Sequence, residues 1–362
     1  MASALMVKFY LLSLFVICTF IPLNGKVSAL SLQSDNTNGN TANLNPTDSV
    51  SVHIIENQQN ELEKQRPKIA LVLSGGGARG ISQIGVIEEL EKAGITIDFI
   101  IGTSIGAVVG GLYSSGYTSS ELDSIMLFTN WNNIFSLSSS QKRGDLFLDQ
   151  KVINDRNLLT FRFNNFKFIV PEAISVGTQF HNFLQKLLWN SVYNCEQDFN
   201  KLKVPFRAVA TDLVSGKSIS LKNGNLAGAI RASATVPLRY APVKLDSMVL
   251  VDGGLMANIP VEQAKEFKPD IIIAVNTTSP LFTKELLDIP WNLADQVVSI
   301  LMRKFSSVSS NEADILIEPD IGLKSNSDFS EIDSLLEKGR DATLIRFTVV
   351  ITVGSSFSRD LS

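Results

Sequence analysis

The sequence predicts an α/β domain, a mostly parallel central sheet flanked by helices on both faces. Three observations carry this. Short continuous apolar runs, such as Ile69 to Leu73 and Ile271 to Val275, read as strands buried on both sides. Helix-periodic stretches stand between them, and strands that alternate with helices form such a sheet. Finally, 44% of the 362 residues are apolar, enough for one large core.

Met1 to Ala29 reads as a secretory leader. Lys8 precedes the apolar run Phe9 to Leu23, and Val27-Ser28-Ala29 supplies small residues for cleavage. The run is shorter than the ~20 residues a membrane-spanning helix needs. Export is therefore expected, to a periplasmic, outer-membrane-associated or extracellular location. Bulky Ile17 argues against lipid attachment at Cys18. Cleavage would leave Cys195 as the single cysteine, so stability must come from burial rather than a disulfide. Residues 30–66 are rich in Asn, Ser, Thr and Gln and carry His53; they read as a flexible polar linker.

The domain is expected over residues 67–345. Its first strand, Ile69 to Leu73, leads into a helix from Ala78 to Ala93, with Ile84, Val86, Ile87 and Leu90 inward and Glu88, Glu89, Glu91 and Lys92 wet. Gly94 closes that helix, and Ile97 to Ile101 is the second strand. Residues 117–202 accumulate aromatics, among them Phe128, Trp131, Phe161, Phe163, Phe166, Phe168, Phe180 and Trp189, and are expected to form a cap insertion. Within it, Thr160 to Phe168 reads as a hairpin turning at Asn164-Asn165, which pairs Phe163 with Phe166 and Phe161 with Phe168. Its aromatic face has two open readings, packing on the protein's own core or contact with a lipid surface. Strands follow at Val204 to Thr211, Ser218 to Leu221, Met248 to Val251, Ile271 to Val275 and Asp314 to Ile317. Helices are expected at Leu226 to Ala234, after Asn258-Ile259-Pro260, and from Phe329 to Ala342. Thr343 to Gly354 is strand-like without a visible partner, and residues 346–362 are an unassigned tail.

Three strand ends carry chemistry. Gly102-Thr103-Ser104-Ile105-Gly106 is a strand–turn–helix Gly-x-Ser-x-Gly motif that lifts the Ser104 hydroxyl out of the sheet, a candidate nucleophile. Gly75-Gly76-Gly77-Ala78-Arg79-Gly80 leaves backbone amides unencumbered at a helix start, suited to an anion such as an oxyanion. Asp252-Gly253-Gly254 ends an apolar strand in one carboxylate, a candidate base.

These blocks, with Arg231-Ala232-Ser233-Ala234-Thr235-Val236-Pro237 as a supporting segment, resemble the patatin-like phospholipase family in content and order. The resemblance implies a three-layer sandwich, a Ser104–Asp252 catalytic dyad, a Gly75–Gly77 oxyanion hole and hydrolysis of phospholipids or related acyl esters. It implies no cofactor or metal. Contact with a membrane surface through the cap is a further expectation.

Rival readings exist for several residues. Gly75, Gly77 and Gly80 also fit a dinucleotide-binding loop, but no acid ends the next strand to hold a ribose. A Ser-His-Asp triad would need His53 or His181, and neither follows the aspartate in the chain. Arg79 is either an extra positive charge at the pocket or an exposed first-turn residue. Asp212 and Asp246 read as turn residues. A net charge of −4 gives no basic surface for nucleic acid. A catalytically silent module keeping the same fold is the second functional class, and the intact Ser104 and Asp252 argue against it.

Overall fold

The two faces of strand β1 (Ile69–Leu73) set the layers. Ile69, Leu71 and Leu73 face one core with Ile84, Ile87 and Leu90, while Ala70 and Val72 face another with Ile259, Val261 and Ala264. This two-sided burial is why the strand reads as an unbroken apolar run. The computed structural model describes residues 66–134, 162–164, 167–169, 177–193, 196–237, 239–284, 287 and 290–359. The leader at 1–29, the linker through residue 65, and Phe135, Phe147, Phe161, Phe166 and Cys195 lie outside the described residues.

After β1 come a 3₁₀ turn (Gly77–Ile81), α1 (Ser82–Lys92), β2 (Phe99–Thr103), α2 (Ile105–Ser114), α3 (Ser119–Phe128) and α4 (Trp131–Ile134). The hairpin β3 (Arg162–Asn164) and β4 (Lys167–Ile169) precedes α5 (Thr178–Trp189), β5 (Phe206–Asp212), β6 (Lys217–Leu221) and α6 (Leu226–Ser233). Then follow β7 (Val243–Leu245), β8 (Met248–Asp252), α7 (Gly254–Ala257), α8 (Val261–Ala264), β9 (Ile271–Val275), α9 (Pro290–Ser310), β10 (Ile315–Ile317) and α10 (Ile332–Arg359).

The sheet order is β10-β9-β1-β2-β5-β8-β7, with β6 also on β5. From β10 to β5 every pairing is parallel; β6, β7 and β8 join antiparallel. The antiparallel sense of β8 matters for the site. β5 continues past the end of β2, where Thr103 lies beside Val209, and β8 starts beyond that level and runs back until Asp252 pairs with Ala210. The aspartate therefore arrives at the mouth of β2 from above. Strand direction is invisible in a buried apolar run, because burial on both faces leaves no polar alternation to read.

Local signals fix the starts of two helices, α3, which the sequence reading does not assign, and α6, which it does. Thr118 and Glu121 form a capping box on α3, with Glu121 N donating to Thr118 Oγ1 at 3.2 Å and Thr118 N to the Glu121 carboxylate at 2.8 Å. Asn225 caps α6 by accepting from Gly228 N at 2.7 Å. Arg66, assigned by sequence to the linker, is held by two 2.8 Å bonds to Asp98.

Two expectations are corrected. The hairpin register pairs Phe163 with Phe168 and Asn164 with Lys167, so the connection falls at 165–166 rather than at 164–165. Three-residue strands have few cross-strand pairs to fix a register, and aromatics at 161, 163, 166 and 168 supply an aromatic pair in either. The strand-like run from Thr343 is the continuation of α10. That helix crosses α1 so closely that a Cβ on Gly339 would collide with the Ser82 carbonyl, and buried Thr343 donates its hydroxyl to Gly339 O at 2.9 Å. Packing along α1 outweighs the strand preference of the β-branched residues. Arg340 fastens the crossing, reaching Glu88 at 2.6 Å and Asp123 at 2.9 Å. Among the described residues, no helix is long and apolar enough to cross a membrane.

The expected cap region is part core. Trp131 stacks on Phe329 at 5.2 Å between centroids and meets Phe183 edge-on at 5.7 Å, and Phe180 and Leu184 of α5 are buried. Phe128 and Trp189 are exposed.

Candidate active site

Ser104 joins β2 to α2 with φ 54° and ψ −122°, a conformation that costs a non-glycine residue about 1–3 kcal/mol. Its surroundings hold it there. Ser104 N donates to Ser233 Oγ at 3.0 Å, and that hydroxyl donates to Val209 O at 2.5 Å. On the other side, Gly106 is pressed against the carbonyls of Leu73 and Ser74, where any Cβ would strike backbone. Thr103 ties the end of β2 to Ala257 O at 2.8 Å. Ile105 packs on Gly80, and Gly102 lies against the backbone of Gly106, so the turn is tightly wedged.

The sheet brings Asp252 to this serine. Ser104 Oγ donates to Asp252 Oδ2 at 2.7 Å, and Gly254 N donates to Asp252 Oδ1 at 2.8 Å. The end of α6 and the segment after it clamp the end of β8, since Asp252 N donates to Thr235 O at 2.7 Å and Gly253 N to Ser233 O at 3.2 Å. Asp252 is 1% exposed. Burial pushes its carboxyl from the ordinary 3.8 up to about 6, against the downward pull of the Ser104 hydroxyl and the Gly254 amide.

The glycine loop lies across from the serine, but its three amides are not equivalent. Gly75 N donates to Asn258 O at 3.1 Å, so this amide, expected to serve the oxyanion hole, is already engaged. The pairing pins the loop to the chain that follows α7. Gly76 and Gly77 precede the first intrahelical bond of the 3₁₀ turn, and their amides have no acceptor among the described residues. Ala78 N donates to Asn326 O at 2.8 Å and fixes the far end of the loop. Two amides, rather than three, are available to a developing negative oxygen.

Arg79 fits neither sequence reading. It is buried, and its guanidinium donates to the carbonyls of Thr277, Gly322 and Lys324 at 3.3, 2.8 and 3.0 Å. It braces the loops behind the glycines. Asp212 and Asp246 are turn residues: Asp212 accepts from Ser215 and from the amides of Val214, Ser215 and Val249, which hold its carboxyl down at about 2, and Asp246 takes φ 51° between β7 and β8.

Ser104, Asp252 and the three glycines open onto one cavity whose apolar lining includes Ile105, Val108, Phe180, Met302 and Phe329. Sequence reading missed Met302, Phe329 and Asn258, which reach the site from α9, from the chain before α10 and from the end of α7. Only Asn258 carried a signal, its place six residues after Asp252 and two before Pro260, and it was read as a helix start.

His181 sits on α5 and does not line this cavity. Its Nδ1 is buried with no partner among the described residues, and burial together with the Arg231 charge lowers its pKa. His181→Ala is expected to retain turnover within about threefold of wild type, measured as kcat/KM on a soluble ester. A loss of several orders of magnitude at unchanged melting temperature would move the base from Asp252 to His181.

The sequence model described as patatin-like phospholipase matches residues 71–265. An uncharacterized NTE family protein of Mycobacterium bovis is 32% identical over 216 residues, covering 58% of this chain and 49% of its own length. A second from the same organism is 26% identical over 299 residues, covering 76% and 45%. A lysophospholipase of Cryptococcus neoformans var. neoformans is 32% identical over 218 residues, covering 59% of this chain and 12% of its own. The chain thus spans about half or less of the length of these relatives. Among solved structures, VipD from Legionella pneumophila gives a TM-score of 0.41 at 14% identity, covering 78% of this chain and 67% of its own. The matched span runs from β1 through α8 and contains the glycine loop together with Ser104 and Asp252, the two residues a dinucleotide-binding reading leaves without a purpose; the chain belongs to the patatin-like phospholipase family.

Proposed function

We propose that this chain hydrolyses acyl esters of phospholipids or related lipids, with Ser104 as nucleophile and Asp252 as its base. The observation that carries the proposal is the 2.7 Å Ser104–Asp252 hydrogen bond at a cavity that also receives two unengaged amides. Asp252 takes the hydroxyl proton as Ser104 Oγ attacks the ester carbonyl. The Gly76 and Gly77 amides hold the oxygen that becomes negative. As the tetrahedral intermediate collapses, Asp252 returns that proton to the leaving oxygen, the alcohol departs and an acyl-serine remains, which water then hydrolyses. The apolar lining suits an acyl chain, and the family description and the fungal lysophospholipase support a lipid substrate. The test is a panel of phospholipids and esters of graded chain length, with Ser104→Ala as the control. A panel without Ser104-dependent release would leave the silent-module reading standing.

An aspartate must be ionised to act as base. With its pKa raised to about 6, kcat/KM should fall about tenfold per pH unit below pH 6 and level off above it. An acid limb centred near pH 4 would mean that the group controlling turnover is not a buried carboxyl.

The proposal extends to export through the leader at 1–29, checked by the N-terminus of the mature chain, and to contact with lipid aggregates through the exposed Trp189 and Phe128. Trp189→Ser is expected to lower activity on phospholipid vesicles several-fold and to leave a short soluble ester unaffected. Equal activity on vesicles would remove lipid contact at this face.

A further inference from the structure

The side-chain amide of Asn258 has an orientation that its neighbours dictate. Glu318 can only accept, so it takes the Asn276 Nδ2 donor at 2.7 Å, which leaves Asn276 Oδ1 to accept the Thr278 hydroxyl at 2.6 Å. The Ser306 hydroxyl likewise donates to Met302 O at 2.7 Å. Both hydroxyls have spent their protons, so toward Asn258 they can only accept, and Asn258 Nδ2 donates to Thr278 Oγ1 at 2.8 Å and to Ser306 Oγ at 3.1 Å. Asn258 Oδ1 is thereby turned into the site.

That oxygen is buried and has no donor among the described residues, in a residue 1% exposed that lines the same cavity as Ser104 and Asp252. Its position is fixed by two reference points. A Cβ on Gly75 would stand 2.5 Å from Asn258 Oδ1 and 3.2 Å from Ser104 Cβ, and one on Gly254 would stand 3.1 Å from both Asn258 Oδ1 and Asp252 Oδ1. A lone acceptor facing the cavity that nucleophile and base share calls for a bound molecule that brings an O–H or N–H.

We infer that Asn258 Oδ1 positions the water that hydrolyses the acyl-serine, an inference resting on the esterase reading above. Once Ser104 is acylated, Asp252 Oδ2 has lost its hydroxyl partner and can accept from water. Water carries two protons. One goes to Asp252 as the water oxygen bonds to the acyl carbon; the other needs a second acceptor, and Asn258 Oδ1 supplies it. The carbon–Oγ bond then breaks, the proton on Asp252 passes to Ser104 Oγ, and free serine and a carboxylic acid remain. An alcohol has a single O–H, which Asp252 alone can take, so Asn258 favours water over alcohols as acyl acceptor.

The test is the partition of the acyl group in dilute methanol with a soluble chromogenic ester. Asn258→Ala should raise the ratio of methyl ester to acid about tenfold, while the rate constant for releasing the first alcohol stays within about threefold of wild type. An unchanged ratio, or acylation and both products falling together, would overturn the assignment. If Asn258→Ala does not fold, Thr278→Val takes its place, since it keeps Asn258 but removes one of the acceptors holding its amide. The same shift in ratio supports the role, and an unchanged ratio overturns it. A wild-type chain with no Ser104-dependent alcohol release would instead defeat the esterase reading, a separate and visible outcome.

Discussion

Replacing Asp252 with asparagine is expected to lower ester turnover by about 10³- to 10⁴-fold and, at pH 8, to raise the melting temperature. The loss of rate follows from removing the only carboxylate bonded to Ser104 among the described residues. The gain in stability follows from the same burial that makes the group a base. Its pKa is about 6 folded against an ordinary 3.8, so the folded state holds the proton more tightly than the unfolded one. The advantage is complete below pH ~4 and disappears as pH rises through 6. Above that, the folded chain carries a buried charge costing roughly 3 kcal/mol for about two pKa units. Asparagine keeps the shape, can still accept from Gly254 N and carries no charge. Ser104→Ala should also abolish turnover but lower the melting temperature at pH 8, because Asp252 then loses a hydrogen bond while its charge stays buried. Opposite signs in thermal melts, with activity lost in both, are the expected result. An Asp252→Asn variant that melts below wild type at pH 8 would mean that the carboxylate supports the fold rather than straining it.

That coupling of burial, charge and placement explains what the sequence could and could not reveal. Ser104 and Asp252 are legible because each ends an apolar run in a short motif of small residues, a local pattern. The engagement of Gly75 by Asn258 is not local: the two are brought together only by β1 lying beside β2 and by the chain after α7 folding onto that face. Arg79 was misread for the same reason, since its three carbonyl partners lie about 200 or more residues away. Strands β1, β2, β5 and β9 were found because burial on both faces writes itself into composition. Helix α9, which brings Met302 to the cavity, was not, and the length of α10 was cut short because β-branched residues in a helix carry the signature of a strand.

Gly77→Ala should lower kcat by about 10²- to 10³-fold, the usual effect of losing one oxyanion donor. Gly77 holds φ 57°, which an alanine tolerates at about 1–2 kcal/mol. The neighbour is the greater obstacle, because a Cβ there would meet the Asn326 carbonyl, the group that accepts from Ala78 N. Either that hydrogen bond opens or the Gly76–Gly77 peptide rotates, and both move the two unengaged amides off the oxygen they are to hold. Strain alone can be separated from this displacement by Gly216→Ala. Gly216 has a similar φ of 68° in the turn between β5 and β6 and nothing within 4 Å of an added Cβ. That variant should show a comparable small loss of stability with kcat intact. If Gly77→Ala behaved the same way, melting slightly lower but turning over normally, the amides of Gly76 and Gly77 would not be the groups that stabilise the transition state, and the oxyanion would have to be held from elsewhere in the cavity.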